Sequence, residues 1–127
     1  MKYDIVDAFR MLCEDGSIWS SFSNTYASIE WSSRNNQTKP TEEQCNAKLT
    51  EITNAESGRL LRIERNRLIA ETDWTQLKDI DLDIIRERNW KNYRQALRDL
   101  PANSNPKLTE FGTLDMSSVN WPDKPSS

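Results

Sequence analysis

The chain has 127 residues and a formal net charge of −3, and this length is typical of a single domain. Only 35% of its residues are hydrophobic, so any fold must form around a thin core, and a partner or self-association would help to stabilise it. The longest run of apolar residues is short, so we predict no membrane-spanning segment. Two cysteines are too few for a disulfide framework, so we expect the protein to be located in the reducing environment of the cytoplasm.

The residue types that most enzymes need are scarce. The chain has no histidine, which removes the commonest general base, the usual catalytic triads and most zinc sites. Its three glycines cannot build a phosphate-binding loop. The acidic run at Asp79, Asp81 and Asp83 resembles the opening of a calcium loop, but Ile84 and Trp90 stand where glycine and glutamate are required. We therefore predict no enzyme, no cofactor and no metal site.

The first predicted element is a short amphipathic helix over residues 4–14. Asp4 is the predicted capping residue, and Gly16 follows the end of the helix. Apolar residues recur at the three- and four-residue spacing of a single helix face, namely Ile5, Ala8, Phe9 and Leu12.

Aromatic and hydroxyl residues then predict a β-hairpin. Its strands lie within residues 18–22 and 25–31, because β-branched and aromatic side chains favour a pleated, half-buried surface. The helix and the hairpin form a predicted module over residues 1–38. A polar linker follows it and ends at Pro40.

A long helix is predicted from Thr41 to about Thr72. Thr41 and Gln44 have the spacing of a capping box. Gly58 weakens the helix by about 1 kcal/mol relative to alanine, but we predict that the helix continues through it. The predicted apolar stripe consists of Cys45, Leu49, Ile52, Leu60, Leu61, Ile63 and Leu68.

A second helix is predicted from about Asp79 or Asp81 to Leu100, where Pro101 ends it. A short turn separates the two helices, which favours antiparallel packing. Residues 39–100 are therefore predicted to form a helical hairpin. The second helix presents a stripe with spacings of three, four and three, made by Trp90, Tyr93, Leu97 and Leu100.

Residues 101–127 are rich in Pro, Asn and Ser and predict an extended C-terminal arm. Isolated apolar residues along the arm suggest that it lies in a groove of a partner subunit or of a neighbouring copy, with Trp121 as its anchor and Pro122 as a stiffening residue. If the segment instead folds back on its own helices, Trp121 is an ordinary core residue. The predicted fold class is α+β and helix-dominant, with a short helix, a β-hairpin, an antiparallel helical pair and this arm.

Arginine is concentrated in one part of the chain. Eight of the ten arginines lie in residues 58–100, where ten basic and eight acidic side chains leave a net charge of only +2. Phosphate binding requires a much more basic surface. Arginine is also common in protein interfaces and pairs well with carboxylates, so we favour a protein interface or pairing within the chain over nucleic acid. The predicted partner-binding residues are Trp74, Arg94, Phe111, Trp121 and Pro122.

Three segments in residues 59–125 carry a resemblance to a known family. They read RIERNRLIAETDWT over 62–75, WKNYRQALRDLP over 90–101 and WPDKP over 121–125. In this order and spacing they resemble the phage tail assembly chaperone family. More loosely, the aromatic strand pair and the helix start at Pro40 are similar to the N-terminal part of small tailed-phage virion proteins.

The resemblance implies a non-enzymatic protein, made in the bacterial host cytoplasm, that acts in tail or tail-fibre assembly. Its implied partners are other phage tail or fibre subunits, with a homo-oligomer as a further possibility. Two fates after assembly stay open: departure from the tail, or retention in the virion as a small structural component. The alternative function from another class is a nucleic-acid-associated packaging or regulatory protein that uses the arginine-rich helices.

Overall fold

A computed structural model describes residues 2–126 of the chain. Helix α1 spans Ile5–Leu12 and begins with a reciprocal capping box. The Asp7 backbone N–H donates to the Asp4 carboxylate at 2.9 Å, and the Asp4 backbone N–H donates to the Asp7 carboxylate at 2.9 Å. This pairing satisfies amide groups that the first turn leaves without helical partners. The predicted helix and its cap are therefore present.

A two-stranded antiparallel hairpin follows, shorter than predicted. Strand β1 spans Trp19–Ser21 and pairs with β2, Ile29–Trp31, with Trp19 opposite Trp31. A single 3-10 turn, Tyr26–Ser28, replaces the first half of the predicted second strand. The Ser28 hydroxyl donates to the Thr25 carbonyl at 2.7 Å, which holds this segment in a turn.

The first hydrophobic core is built around Phe9, which is fully buried. The rings of Trp19, Tyr26 and Trp31 meet Phe9 edge-on, with centroids 4.8, 6.3 and 5.8 Å away. Edge-to-face aromatic pairs add to the free energy gained by burial. Val6, Ile29 and Cys45 complete the buried cluster.

The predicted linker over residues 32–40 is held by side-chain amides. Asn35 accepts from the Ile18 backbone N–H at 2.6 Å and donates to the Ile18 carbonyl at 2.7 Å. Gln37 donates to the Leu12 carbonyl at 3.0 Å and accepts from the Glu14 backbone N–H at 2.9 Å. The segment is thus an ordered connection, because its polar side chains bond backbone groups far away in sequence.

Helix α2 spans Glu42–Ala70 without a break at Gly58. The predicted capping box is present, since the Thr41 N–H donates to Gln44 at 2.9 Å and the Gln44 N–H donates to Thr41 at 3.1 Å. Most of the predicted stripe is buried or half-buried. Ile63 is the exception, because 54% of it is exposed.

Helix α3 spans Ile84–Asp99 and starts later than predicted, because Asp83 is its cap and accepts from the Arg86 backbone N–H at 2.8 Å. A 3-10 turn, Asp73–Gln76, lies between α2 and α3. Helices α2 and α3 run antiparallel, because the earlier residue of α2 contacts the later residue of α3 and the later residue of α2 contacts the earlier one. Arg65 donates to the Arg98 carbonyl at 3.4 Å and Arg94 donates to the Ile69 carbonyl at 3.4 Å.

The C-terminal segment differs from the predicted arm. Its backbone is largely irregular, but Val119 is buried with Leu61 and Leu100 in one cluster, and Leu114 and Trp121 pack against that cluster. A β-bridge between Leu108 and Leu114 and a 3-10 turn, Met116–Ser118, shape the segment. Part of this segment thus covers Leu61 and Leu100 of its own helical pair, as the fold-back alternative expects, while most of its backbone has no regular secondary structure.

The chain folds as two compact units. Unit 1 contains Met1–Glu56 with Glu110–Gly112, and unit 2 contains Ser57–Thr109 with Thr113–Ser127. The first half of helix α2 belongs to unit 1 and its second half belongs to unit 2. The boundaries of these units therefore differ from those of the three segments predicted from the sequence. The predicted fold class, α+β with helix dominant, is confirmed. In the part of the chain that the structure describes, every helix is too short or too polar to cross a membrane.

Candidate functional site

Unit 2 contains a cleft between helix α3 and the chain that precedes it. We call it the Trp90 cleft, and its volume is about 470 Å³. A volume of this size lies within the usual range for binding sites. Its lining residues are Thr75, Gln76, Leu77, Ile80, Leu82, Glu87, Trp90, Lys91, Arg94 and Arg98.

Arg94 fixes one side of the cleft to the chain before it. Its guanidinium donates to the Thr72 hydroxyl at 2.6 Å and to the Asp73 carboxylate at 3.0 Å. Only 12% of the Arg94 side chain is exposed. Thr72 is fully buried and also donates to the Ile69 carbonyl at 2.7 Å. These bonds hold the end of α2 and the following turn against α3, which is what leaves a cleft between them.

Trp90 is the most buried residue of the lining. It is 3% exposed, and its ring meets Trp74 at 5.3 Å and Tyr93 at 6.0 Å, both edge-on. Among residues 2–126, the Trp90 indole Nε1–H is the one buried side-chain polar group without a hydrogen-bond partner. A buried donor without an acceptor costs about 1–3 kcal/mol. This cost is unusual, because most buried polar groups are satisfied.

The charges of the lining are mixed but favour cations. Lys91, Arg94 and Arg98 face one carboxylate, that of Glu87. Arg94 is paired with Asp73, whereas Lys91 has no ion pair with any described residue. Lys91 and Arg98 are seven residues apart on α3, so they share one face of the helix. Asp79, Asp81 and Asp83 are not lining residues, but they alternate with Ile80 and Leu82, which are.

Large apolar side chains are exposed on the same stretch of chain. Ile84 is 75% exposed and Ile85 is 67% exposed, at the start of α3. Leu77, which lines the cleft, is 61% exposed. Trp74, which packs on Trp90, is 39% exposed. Exposed apolar side chains that occur together are typical of surfaces that bind another molecule.

The structure distributes the five predicted partner-binding residues over different environments. Trp74 lies beside the Trp90 cleft, and Arg94 lines it, but the Arg94 guanidinium is already bonded within the chain. Phe111 is 76% exposed. Trp121, the predicted anchor, packs against the cluster around Leu61 and donates from Nε1 to the Met116 carbonyl at 3.1 Å.

Pro122 is half-buried and lines a second, shallower cavity of about 450 Å³ in unit 2, together with Tyr93 of α3. It does not line the Trp90 cleft. Of the five predicted partner-binding residues, Trp74 and Arg94 thus lie at the cleft, whereas Phe111, Trp121 and Pro122 lie outside its lining.

Several cleft residues were not predicted as functional. Leu77, Ile80 and Leu82 lie in a stretch that the sequence interpretation treated as a turn and a helix start. The available signal was three aliphatic residues in a polar connection where no helix face needs them. Lys91 and Arg98 were noted only as members of the arginine-rich segment.

Other arginines of this segment pair within the chain. Arg67 bonds Glu64 at 2.5 Å and Glu71 at 2.5 Å, and Arg65 bonds Asn66 at 2.7 Å. The hydrogen bond from Arg67 lowers the pKa of the Glu64 carboxyl. In the described residues, no group of three or more acidic, cysteine or histidine side chains is arranged to hold a metal ion.

The Trp90 cleft is therefore lined by both aliphatic and polar or charged side chains, and the chain beside it exposes apolar residues. This combination is typical of a protein that binds another polypeptide, since interfaces combine an apolar centre with polar groups at the rim.

Comparison with known proteins agrees with this class. Residues 58–126, more than half of the chain, match the family model described as phage tail assembly chaperone protein. The chain belongs to this family, which the resemblance of its three sequence segments predicted. Such assembly chaperones are generally non-enzymatic. Neither a curated protein nor a solved structure matches the chain.

Proposed function

We propose that this protein assists assembly of the phage tail or tail fibre by binding another tail subunit, without a catalytic step. The family supports a role in tail assembly. The observation that carries the proposed binding surface is the exposure of Ile84 and Ile85 beside the Trp90 cleft. Burial of such side chains contributes about 1.5–3 kcal/mol each, so two of them supply a useful part of a binding free energy.

Of the predicted partner-binding residues, Trp74 fits this surface directly. Its ring is exposed on one side and packs on Trp90 on the other. Aromatic residues supported in this way often dominate interface energetics. Phe111 stays a proposed contact because most of its side chain is exposed. Trp121 and Pro122 also stay proposed contacts: both are half-buried, and Trp121 packs in addition against the cluster around Leu61.

The test is co-purification from cells that express the tail genes of the same phage with a tagged copy of this chain. The variant Ile84→Asp with Ile85→Asp removes the apolar side chains. It places carboxylates in the first turn of α3, where the helix dipole favours them, so the helix should persist. Ile18→Asp is the matched control, because Ile18 is 52% exposed and lies in unit 1.

We expect a tail subunit to co-purify with the wild type and with Ile18→Asp, and to fall more than tenfold with the double variant. Absence of any tail subunit from the wild-type sample would contradict the proposal. Equal recovery with all three chains would contradict the surface. Mass spectrometry of purified virions separates the two fates after assembly: detection at the level of structural proteins shows retention, and absence shows departure.

A further inference from the structure

We propose that two copies of this chain pair through the first turns of α3, in antiparallel orientation, so that Ile84 and Ile85 of each copy cover those of the other. The same two side chains carry the proposed binding surface. The pairing therefore regulates access to that surface, and in this respect the inference rests on the proposed function. It depends on two features: an open apolar face of α3 and a charge pattern that changes sign at that face.

The open face of α3 lies on the side of the helix away from the core of unit 2. At about 100° per residue, Ile84, Ile85 and Arg88 project on the opposite side from the buried stripe of α3. Residues 122–126 share a cavity with α3, but none of these three residues lines it. The two isoleucines thus form a small apolar patch, 75% and 67% exposed, which an identical patch on a second copy can cover.

Charged residues change sign at this patch. Before Ile84, every second residue is an exposed aspartate, namely Asp79, Asp81 and Asp83. After Ile85, cations outnumber carboxylates, with Arg86, Arg88 and Lys91 against Glu87. The chain is therefore negative on one side of the apolar patch and positive on the other.

This change of sign selects the antiparallel orientation. In a two-fold pair, both copies present the same surface, and every contact between two different residues occurs twice. When the two α3 helices run in opposite directions across the patch, the acidic side of each copy faces the basic side of the other. In a parallel pair, aspartates would face aspartates, and the like charges would repel.

Asp81 and Arg88 are the residues that we assign to the charged contact. Asp81 lies three residues before Ile84, and Arg88 lies three residues after Ile85, so both are equally far along the chain from the centre of the patch. Both are exposed, and neither has an ion pair with a described residue. Asp83, in contrast, caps α3.

Sedimentation velocity of the full chain over a range of concentrations measures the pairing. The patch is smaller than a stable interface, which buries about 800 Å² per partner, so we expect a dimer that forms in the micromolar range. High salt should weaken it, because exposed charges are screened. Ile84→Asp with Ile85→Asp should abolish the dimer, whereas Ile18→Asp, in unit 1, should leave it unchanged.

Charge reversal tests the orientation. Arg88→Asp and Asp81→Arg should each raise the dissociation constant about tenfold or more, because each variant places like charges at both contacts of its own dimer. An equimolar mixture of the two variants should dimerise within about threefold of the wild type, since the mixed pair restores opposite charges at both contacts. Recovery on mixing requires that the two residues meet between copies.

Asp99→Arg is the matched control for these variants, because Asp99 is exposed and lies at the other end of α3. A cation is also favourable at the C-terminus of a helix. We expect this variant to dimerise as the wild type does, and melting temperatures verify that every variant folds.

Three results would overturn the inference: a wild type that stays monomeric throughout the micromolar range, a dimer that persists in the isoleucine double variant, and a mixture of the two charge variants that stays monomeric. Co-purification of the intact dimer with a tail subunit would contradict the regulatory role, because both partners require Ile84 and Ile85. The proposed function is tested separately. A dimer without any co-purified tail subunit would contradict that function and leave the pairing intact, whereas a monomer that still co-purifies a tail subunit would do the reverse.

Discussion

The two units of this chain bury their aromatic residues in different ways. In unit 1, four rings form a single cluster centred on Phe9, and each contact is edge-to-face. In unit 2, the buried residues divide into two small clusters, one around Leu61 and one around Trp90. Unit 2 also contains the buried donor without a partner and the exposed pair Ile84 and Ile85.

This difference in the cores is one reason to place the proposed binding surface in unit 2. Both units expose large apolar side chains, Phe22 in unit 1 and Ile84 in unit 2 among them, but the buried donor without a partner lies in unit 2. The family match also falls on residues 58–126, which lie in unit 2 apart from the short segment Glu110–Gly112. The region with the less complete core is thus the region that defines the family.

The largest expected effect is in unit 2. Ending the chain after Leu100 removes Leu114, Val119 and Trp121 from the cluster around Leu61. We expect the free energy of unfolding to fall by roughly 4 kcal/mol or more, since each buried apolar side chain contributes about 1.5–3 kcal/mol. Urea unfolding and hydrogen exchange of α3 amides measure the loss.

A chain that ends after Asp123 is the control for this truncation. It retains the three apolar side chains and should unfold within about 0.5 kcal/mol of the wild type. If the chain that ends after Leu100 were as stable as the full chain, residues 101–126 would not contribute to the core, and the original expectation of a free arm would be restored.

Phe9→Ala tests the single core of unit 1. Phe9 is fully buried among three aromatic rings, and truncating a buried phenylalanine costs about 3–5 kcal/mol. Thermal and urea unfolding should both show the loss. Phe22→Ala, at a residue that is 81% exposed, should change stability by less than about 0.5 kcal/mol. Similar small effects from both variants would remove the distinction between the two cores.

Arg94→Ala should lower the stability of unit 2 by about 1–2 kcal/mol, because it leaves the buried Thr72 without this donor. Asp73→Ala removes only the ion pair of a carboxylate whose side chain is 64% exposed and should cost less than about 1 kcal/mol. Arg88→Ala controls for loss of an α3 arginine. If Asp73→Ala lowered the stability as much as Arg94→Ala does, the ion pair, rather than the hydrogen bond to the buried Thr72 hydroxyl, would account for the stabilisation by Arg94.

The smallest effect concerns pH. The hydrogen bond from Arg67 lowers the pKa of Glu64 in the folded chain. The Glu64 carboxylate therefore binds a proton less readily in the folded state than in the unfolded state. The stabilisation is therefore present above the unfolded pKa and is lost as pH falls through the lowered folded pKa. Glu64→Gln should remove this part of the acid dependence, and NMR titration of the Glu64 carboxyl measures the pKa directly. A Glu64 pKa at its ordinary value would refute the prediction, and added salt should reduce the shift.

Local elements were predictable because their causes lie within a few residues. The capping boxes at Asp4 and Thr41 need partners three residues away, and the stripe of Trp90, Tyr93 and Leu97 follows from helix periodicity. The candidate site was only partly predictable. Trp74 and Arg94 were singled out for their side-chain chemistry, but nothing local shows that Arg94 is bonded by Thr72 across the turn.

The sequence by itself determined the helices, their caps, the aromatic hairpin and the family, since these depend on residue type and short-range spacing. Tertiary structure decided which apolar residues are covered. Val119 is buried only because Leu61 and Leu100 meet it from distant positions in the chain, and Ile84 and Ile85 stay exposed because no described part of the chain covers them. Burial is a property of contacts between distant segments, and so the place of the cleft could not be derived from local pattern alone.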